Sequence, residues 1–408
     1  MAETRFVVPQ GEFDLIRYPP TRDENLRAWD AADELILLQL AEVMENEQIA
    51  RVFVVNDAFG ALAVGVSAAL GAAAEGGAPG GELHVVSDSH VASLAMRQNL
   101  ERNDLPYPTE WSVGSDGAWE PLEAPSTAEG DGQPAGIDIV LIKIPKALAL
   151  LELELAGLRG AVGSSSIIIG GAMTRDVHSS TVTLFEEGLG PTRTTRARKK
   201  ARLILTELDP GVAPQAPNPS LYQLEIEDAH LVNLPGVFSA RRLDNGTRLL
   251  VEHLPDIADE ARVIDLGCGN GALGIAALLN NPTADLTFID ESRLAITSAR
   301  LSFEREFADA APGSRPSATF RVADCLDGLP GESADLILCN PPFHQGRAHG
   351  DDVAWKMFKG ARRVLRPGGQ LWVVGNRHLD YTQKLKRAMG NSQLMANDPG
   401  YQVVRAIG

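Results

Sequence analysis

From about residue 260 onward, short apolar runs alternate with longer runs whose apolar positions recur at helical spacing. ARVIDLGCGNGALGIAALLN (261–280) reads as an apolar strand, a glycine turn and a helix. ADLTFIDES (284–292) is a strand ending in acids, and SRLAITSARLSFERE (292–306) is the helix after it. ATFRVADCL (318–326) and SADLILCNPP (333–342) are further strands. DDVAWKMFKGARRVLRPGG (351–369) is an amphipathic helix stopped by Pro-Gly-Gly, and QLWVVGNRHLDY (370–381) is another strand. Alternation of this kind builds a mostly parallel, doubly wound α/β sheet.

The N-terminal half repeats that order more faintly. RVFVVNDAFGALAVGVSAAL (51–70) has GALA where the later unit has GALG. ELHVVSDSHVASLAMRQNL (82–100) follows LTFIDESRLAITSARLSF almost element for element, and GIDIVLIKIPKALALLELELAGLRGAV (136–162) follows SADLILCNPPFHQG and its helix. The pattern predicts an internal duplication: tandem Rossmann-like domains over 1–206 and 221–408, with the Pro-rich linker ELDPGVAPQAPNPS at 207–220. In the first copy the turn has lost two of three glycines and reads as about two residues shorter. Lys143-Ile144-Pro145-Lys146 stands where the second copy has Asn340-Pro341-Pro342-Phe343. The first copy is therefore degenerate, keeping the fold without the chemistry. The inserts at 71–82 and 106–136, the second acidic and Pro/Gly-rich, are expected to be mobile surface loops.

A chain of 408 residues is too long for one ordinary core, which agrees with two domains. The three cysteines, Cys268, Cys325 and Cys339, are not spaced like a metal site or a disulfide framework, so a reducing cytoplasm is expected. No signal peptide is read in the first 20 residues, and no apolar run of about 20 residues is available to cross a membrane. The net charge of −17 weighs against general nucleic-acid binding. RTTRARKKAR (193–202), with six cations and no acid, is the local exception. It reads either as a phosphate contact, through Arg196, Arg198, Lys199 and Lys200, or as a solvated basic helix face.

Asp265-Leu-Gly267-Cys268-Gly269-Asn270-Gly271 follows a strand and opens a helix. Glycines there let the backbone approach a ligand, and helix N–H groups favour an anionic group. GNGALG also fits a dinucleotide fingerprint, so the glycines alone do not name the cofactor. Asp265 before the turn suits the amine end of an amino-acid ligand. Asp290, with its neighbour Glu291, ends the next strand and suits two ribose hydroxyls. Asp324, followed by Cys325, is placed for an adenine amine. S-adenosylmethionine (SAM) has those three parts. The bland alternative is that Asp290 and Asp324 cap helices.

ILCNPPFHQG then raises the question of what two prolines hold at a strand end. They fix the backbone so that the Asn340 side-chain oxygen and the Pro341 carbonyl can bind both hydrogens of one exocyclic amine. Phe343 offers a face to a planar base. Such an amine is a poor nucleophile, and two hydrogen bonds favour a more pyramidal nitrogen. Against an activated sulfonium methyl, orientation and electrostatics then suffice.

With this residue set the C-terminal half resembles class I SAM-dependent methyltransferases that act on amines. NPPFHQG with VVGNRHLDY is similar to the bacterial ribosomal RNA guanine-N2 methyltransferases of the RlmG/RsmC family. LRAWDAADELILLQL, NDAFGALA, TRARKKARLI, GVFSARRLDNGTRLLVEHLP and FIDES most resemble its large-subunit branch, RlmG, over nearly the whole chain. The resemblance implies methyl transfer to N2 of a guanine in ribosomal RNA, 23S before 16S, with the degenerate domain holding RNA or supporting the fold. It also implies naked or partly assembled large subunit as substrate, because a paired guanine must be flipped out to react. A monomer is the expectation.

His344, Arg377 and His378 are further candidates for RNA contact. Asn376 and Tyr381 lie in the same NRHLDY stretch, while Phe238 and Asp244 are candidates to close one side of the pocket. Trp355 and Met357 read as core. The Asn-Pro-Pro-aromatic set serves adenine N6 or a glutamine side chain equally well. An NAD-type oxidoreductase has no use for it, and a non-enzymatic RNA binder predicts a decayed second copy.

Overall fold

The computed structural model describes residues 3–21, 23–77, 80–123, 136–213, 216–223, 229–239, 242–311, 315–342 and 347–408. It divides into two compact units, Met1–Asn218 and Pro219–Gly408.

In the first unit a hairpin, β1 (Arg5–Val8) and β2 (Gly11–Asp14), precedes α1 (Ala31–Met44). Then follow β3 (Arg51–Val55), α2 (Ala61–Glu75), β4 (Glu82–Val86), α3 (His90–Arg102), β5 (Thr109–Val113) and β6 (Trp119–Pro121). The rest is β7 (Ile137–Lys143), α4 (Leu148–Ala161), β8 (Val162–Met173), α5 (Ser179–Gly188), β9 (Thr192–Thr194) and β10 (Ala201–Thr206). The sheet order is β6-β5-β4-β3-β7-β8-β10-β9. Strands β5 through β8 in that order are parallel, and β6, β10 and β9 run antiparallel to their neighbours.

The second unit opens with the hairpin β11 (Ser220–Gln223) and β12 (His230–Asn233), then α6 (Asn245–Val251). It continues with β13 (Arg262–Leu266), α7 (Ala272–Asn280), β14 (Asp285–Asp290), α8 (Arg293–Glu306), β15 (Ser317–Val322) and β16 (Ala334–Cys339). It ends with α9 (Arg347–Val364), β17 (Leu365–Asn376), α10 (Tyr381–Met389), β18 (Gln393–Asn397) and β19 (Tyr401–Ile407). Its order is β15-β14-β13-β16-β17-β19-β18, parallel up to β17 and antiparallel beyond.

The central strands are mainly apolar because helices cover both faces. Val263 turns to the core under α7 and α8, and its neighbour Ile264 turns to the core under α9 and α10. Helix α8 shows how sequence sets position. Ser292 caps it by accepting the Ala295 N–H, and Leu294, Ile296, Ala299 and Phe303 are buried. Two serines on that buried face take up main-chain donors of the preceding segment. Ser302 Oγ accepts the Val232 N–H and Ser298 Oγ accepts the Leu234 N–H, each at 2.9 Å. This satisfies buried polar groups and pins β12 to α8.

Several expectations change. The first unit's glycine turn is not shorter: five residues follow Val55 to the helix N-cap Gly60, and five follow Leu266 to Gly271. Asn56 takes the left-handed backbone (φ 62°) where the second unit uses Gly267 (φ 72°), which is why a non-glycine keeps the turn's length. The insert at 71–82 is not all loop, since its first five residues extend α2 and Glu82 starts β4. In the insert at 106–136, Thr109–Val113 and Trp119–Pro121 form paired strands and Trp119 is buried against Phe53. Residues 124–135 lie outside the described residues. The basic run is not a helix face. It spans β9 and the start of β10, with Lys199 and Lys200 in left-handed turn positions. Helix α9 begins earlier than expected, at Arg347, and Pro-Gly-Gly (367–369) lies inside β17.

Candidate active site

Strand β13 sits where the sheet order reverses. Leu266 is in register with Ile289 on one side and Cys339 on the other. The glycine turn, Asp290 and Asn340 therefore leave the sheet side by side, from strands about 4.8 Å apart. Asp290 pairs in register with Val322, which brings Asp324 to the same edge, and Arg377 follows the end of β17. This crevice at a topological switch point is where such sheets bind ligands.

Gly267, Gly269 and Gly271 all have left-handed backbones (φ 72°, 54° and 87°). A side chain at Gly271 would lie 3.2 Å from the Ala299 main chain, whereas one at Gly269 would meet nothing within 4 Å. The first glycine is needed for helix packing and the second borders open space. Asp290 holds the turn in shape. Its Oδ2 accepts the Gly269 N–H at 2.9 Å, and its Oδ1 accepts the Ser292 N–H at 3.0 Å. Gly267 and Cys268 donate to the Ile289 carbonyl at 2.8 and 3.0 Å. Glu291, beside it, is half-buried.

Asp265 lies under the turn, fully buried. Its Oδ2 accepts the Gly274 N–H at 2.8 Å, and its Oδ1 has no partner among the described residues. Burial, helped by the nearby charge of Asp290, pushes its carboxyl up to about 7. Asn270 donates to Asn233 Oδ1 at 3.1 Å, and Asn233 in turn donates to the carbonyls of Leu234 and Val237. The turn is thereby tied to the segment that carries the exposed Phe238. The thiols of Cys268 and Cys325 pack into the cores and burial raises both. Asp324 is buried and paired with Lys356, 2.5 Å from Oδ2 to Nζ, and Lys356 also reaches Asp327 at 2.8 Å.

Asn340 carries the clearest polarity. Its Nδ2 donates to Thr247 Oγ1 at 2.8 Å and to Asp244 Oδ2 at 3.3 Å. Its Oδ1 is buried and has no partner among the described residues. Pro341 is buried and Pro342 half-buried behind it. Phe343 and His344 lie outside the described residues. Asp244 is the N-cap of α6, accepting the N–H groups of Gly246 and Thr247 at 3.0 and 3.2 Å.

Arg377 and His378 are exposed in the short 3-10 turn after β17. Tyr381, Trp355 and Met357 belong to the core: Tyr381 packs edge-on against Phe358, and Met357 Sδ lies 3.8 Å from Cys339 Sγ. Arg196, Arg198, Lys199 and Lys200 are exposed on the first unit's hairpin turn, where Lys199 pairs with Glu34 at 2.6 Å. Thr247, Asn233 and Lys356 were not singled out in the sequence. The signal for Thr247 was present, because D-N-G-T before an apolar run marks a capped helix start. Nothing local distinguished Asn233 or Lys356.

Residues 3–210 match the RLMG N-terminal domain and residues 228–405 the Methyltransferase small domain. A protein of Streptomyces coelicolor named Ribosomal RNA large subunit methyltransferase G is 43% identical over 98% of this chain and 99% of its own. Relatives of the same name from Aeromonas salmonicida (43%; 96% of each chain) and Pseudomonas aeruginosa (42%; 98% and 99%) agree. The chain belongs to the ribosomal RNA large subunit methyltransferase G family. A solved structure entitled T. thermophilus 16S rRNA N2 G1207 methyltransferase (RsmC) in complex with AdoMet and guanosine superimposes with a TM-score of 0.69. It covers 99% of this chain and 97% of that one at 22% identity. The chain thus has the α/β class I methyltransferase fold with a mixed sheet. Among its described residues no helix is long and apolar enough to cross a membrane, and no cluster of His, Cys, Asp and Glu is built to hold a metal ion.

Proposed function

We propose that the protein transfers a methyl group from SAM to the exocyclic N2 of a guanine in large-subunit (23S) ribosomal RNA. The observation that carries this reading is the buried Oδ1 of Asn340 beside the glycine turn, which has no partner among the described residues. A buried acceptor without a donor calls for a ligand N–H. The relatives that share the full length and are named for large-subunit RNA support the substrate class. The RsmC title, with its N2 and guanosine, supports the base.

The donor set fits SAM. The open space at Gly269 admits its aminoacyl part against the turn, near the unpartnered Oδ1 of Asp265. Asp290, with Glu291 beside it, takes the ribose, and Asp324, held by Lys356, takes the adenine amine. When bound, SAM supplies an activated sulfonium methyl. The chain's own part is orientation: Asn340 Oδ1 and the Pro341 carbonyl accept the two amine hydrogens and aim the nitrogen lone pair outward. The expected stacking by Phe343 falls outside the described residues. Charge developing on the amine is met by these preset acceptors, with no solvent to reorganise.

The two units share the order of seven strands and the N-cap glycine of the turn, which supports a duplicated origin with a degenerate first copy. In our reading residues 1–206 hold RNA, through the exposed cations at 196–200, and residues 221–408 catalyse. The target guanine is unpaired or flipped out, so naked or partly assembled subunits in the cytoplasm are the substrate, and a monomer suffices.

The test is methyl transfer from labelled SAM to separated large- and small-subunit RNA, stripped of protein and taken from cells lacking the enzyme. Label recovered as N2-methylguanosine from large-subunit RNA is the expected result. Label in small-subunit RNA overturns the subunit, label on adenine overturns the base, and label only on assembled subunits overturns the substrate state.

A further inference from the structure

An asparagine amide can present either its oxygen or its nitrogen to a ligand, and here the choice decides whether an amine is accepted or rejected. We infer that Asp244 and Thr247 are positioning residues that lock the Asn340 side chain with its oxygen toward the substrate amine. The inference rests on the amine-methylating reading above.

The carboxylate of Asp244 is an acceptor only, so the atom of Asn340 that faces it must be the NH₂. Thr247 Oγ1 takes a second contact from the same nitrogen at 2.8 Å. Rotating the amide by half a turn would set its oxygen against the carboxylate, two acceptors with no proton between them. The flip is closed, and Oδ1 is left as the acceptor without a partner among the described residues. Asp244 is itself fixed by the Gly246 and Thr247 N–H groups. There is no slack around it. A Cβ on Gly246 would come within 2.9 Å of the Tyr401 ring and 3.0 Å of Asp244 Oδ2.

The first unit shows independently that this helix start is aimed at this strand end. Asp30 is the N-cap of α1 and Asp33 its third residue, as Asp244 and Thr247 are for α6. Both carboxylates meet the side chain of Lys143, at 2.8 and 2.6 Å, at the end of the strand that corresponds to β16. The same two helix positions reach the same strand position twice. With lysine the result is a closed ion cluster, and with asparagine it is a directed acceptor.

Thr247→Val removes the acceptor and keeps the shape and the main-chain N–H that Asp244 accepts. The expected result is a turnover number lower by about tenfold, with SAM affinity, RNA KM and melting temperature near wild type. Thr247→Ser, which restores the hydroxyl, should recover most of the rate. The inference is overturned by an unchanged rate in Thr247→Val. It is equally overturned by a loss that tracks SAM binding or melting temperature, or by failure of serine to rescue. The rates are compared on whichever nucleotide the wild type marks. A wild type that methylates another amine therefore sinks the guanine reading and still tests the lock. A wild type that methylates no nucleic acid overturns both.

Discussion

Lys143 and Asn340 occupy corresponding strand ends in the two units, each held by the first turn of a helix, and they lead to opposite chemistry. Around Lys143 the charges pair off: the ammonium is shared by Asp30 and Asp33, and Lys199 takes Glu34. Around Asn340 one acceptor is left over. The glycine turns differ as well. Asn56 donates to Glu154 Oε2 at 2.8 Å while Glu154 Oε1 stays buried without a partner among the described residues, and Ser87 stands at the strand end where the second unit has Asp290. At these two strand ends the same framework gives a closed ion cluster where the polar groups satisfy one another, and an open acceptor where one is left over among the described residues.

The largest expected effect comes from moving the first unit's residue into the second. Asn340→Lys should close the same ion contact with Asp244, lower methyl transfer by more than about 100-fold and leave SAM binding intact. Single-turnover transfer beside calorimetric SAM titration reads this, and a variant with more than a tenth of wild-type rate breaks the comparison. In the first unit, Lys143→Met strands Asp33 in the interior and leaves Asp30, which is 42% exposed, to water. A loss of about 3 kcal/mol in the stability of the first unit is expected, at the low end for a broken buried pair. Denaturant unfolding measures it, and SAM affinity should not move.

Asp290→Ala removes both the stitch at Gly269 and the acceptors proposed for the ribose. The SAM dissociation constant should rise about 50-fold, whereas Ser87→Ala should leave it unchanged. Equal effects of the two substitutions on SAM binding would mean that the first unit also takes the cofactor. The smallest effect concerns Glu154, whose carboxyl burial pushes up to about 8. Folding favours its protonated form, so the stability it contributes is complete below about pH 4.5 and is lost as pH rises through about 8. Glu154→Gln cannot ionise. It should melt a few degrees above wild type near pH 9 and equal to it near pH 5. Identical curves at both values would mean that the group titrates normally.

Much of this was legible in the chain because it is written in local pattern. Apolar runs of five to seven residues with glycine turns gave the central strands, and the acids at their ends gave the edge that carries Asp290 and Asp324. The edge strands and inserts were read less well. Trp119 and its hairpin sit in an acidic, Pro/Gly-rich stretch whose composition resembles a loop, and pairing with β5 overrides it. The helix-face reading of the basic run failed for a related reason: charge says nothing of periodicity, and the strand register of Ile204 and Leu205 with β9 decided it.

The sequence by itself determined the strand–helix order, the glycine turn and the Asn-Pro-Pro end, because each is a short-range consequence of residue type. Tertiary structure alone decided what those groups do. It sent the Asp265 carboxylate under the turn toward Gly274 and sank two thiols into the cores. It also paired Asp324 with a lysine 32 residues away and set the Asn340 amide by a carboxylate 96 residues upstream. A hydrogen bond has a direction and a length that no spacing in the chain encodes, and the partner of a buried polar group is chosen by the fold that buries it.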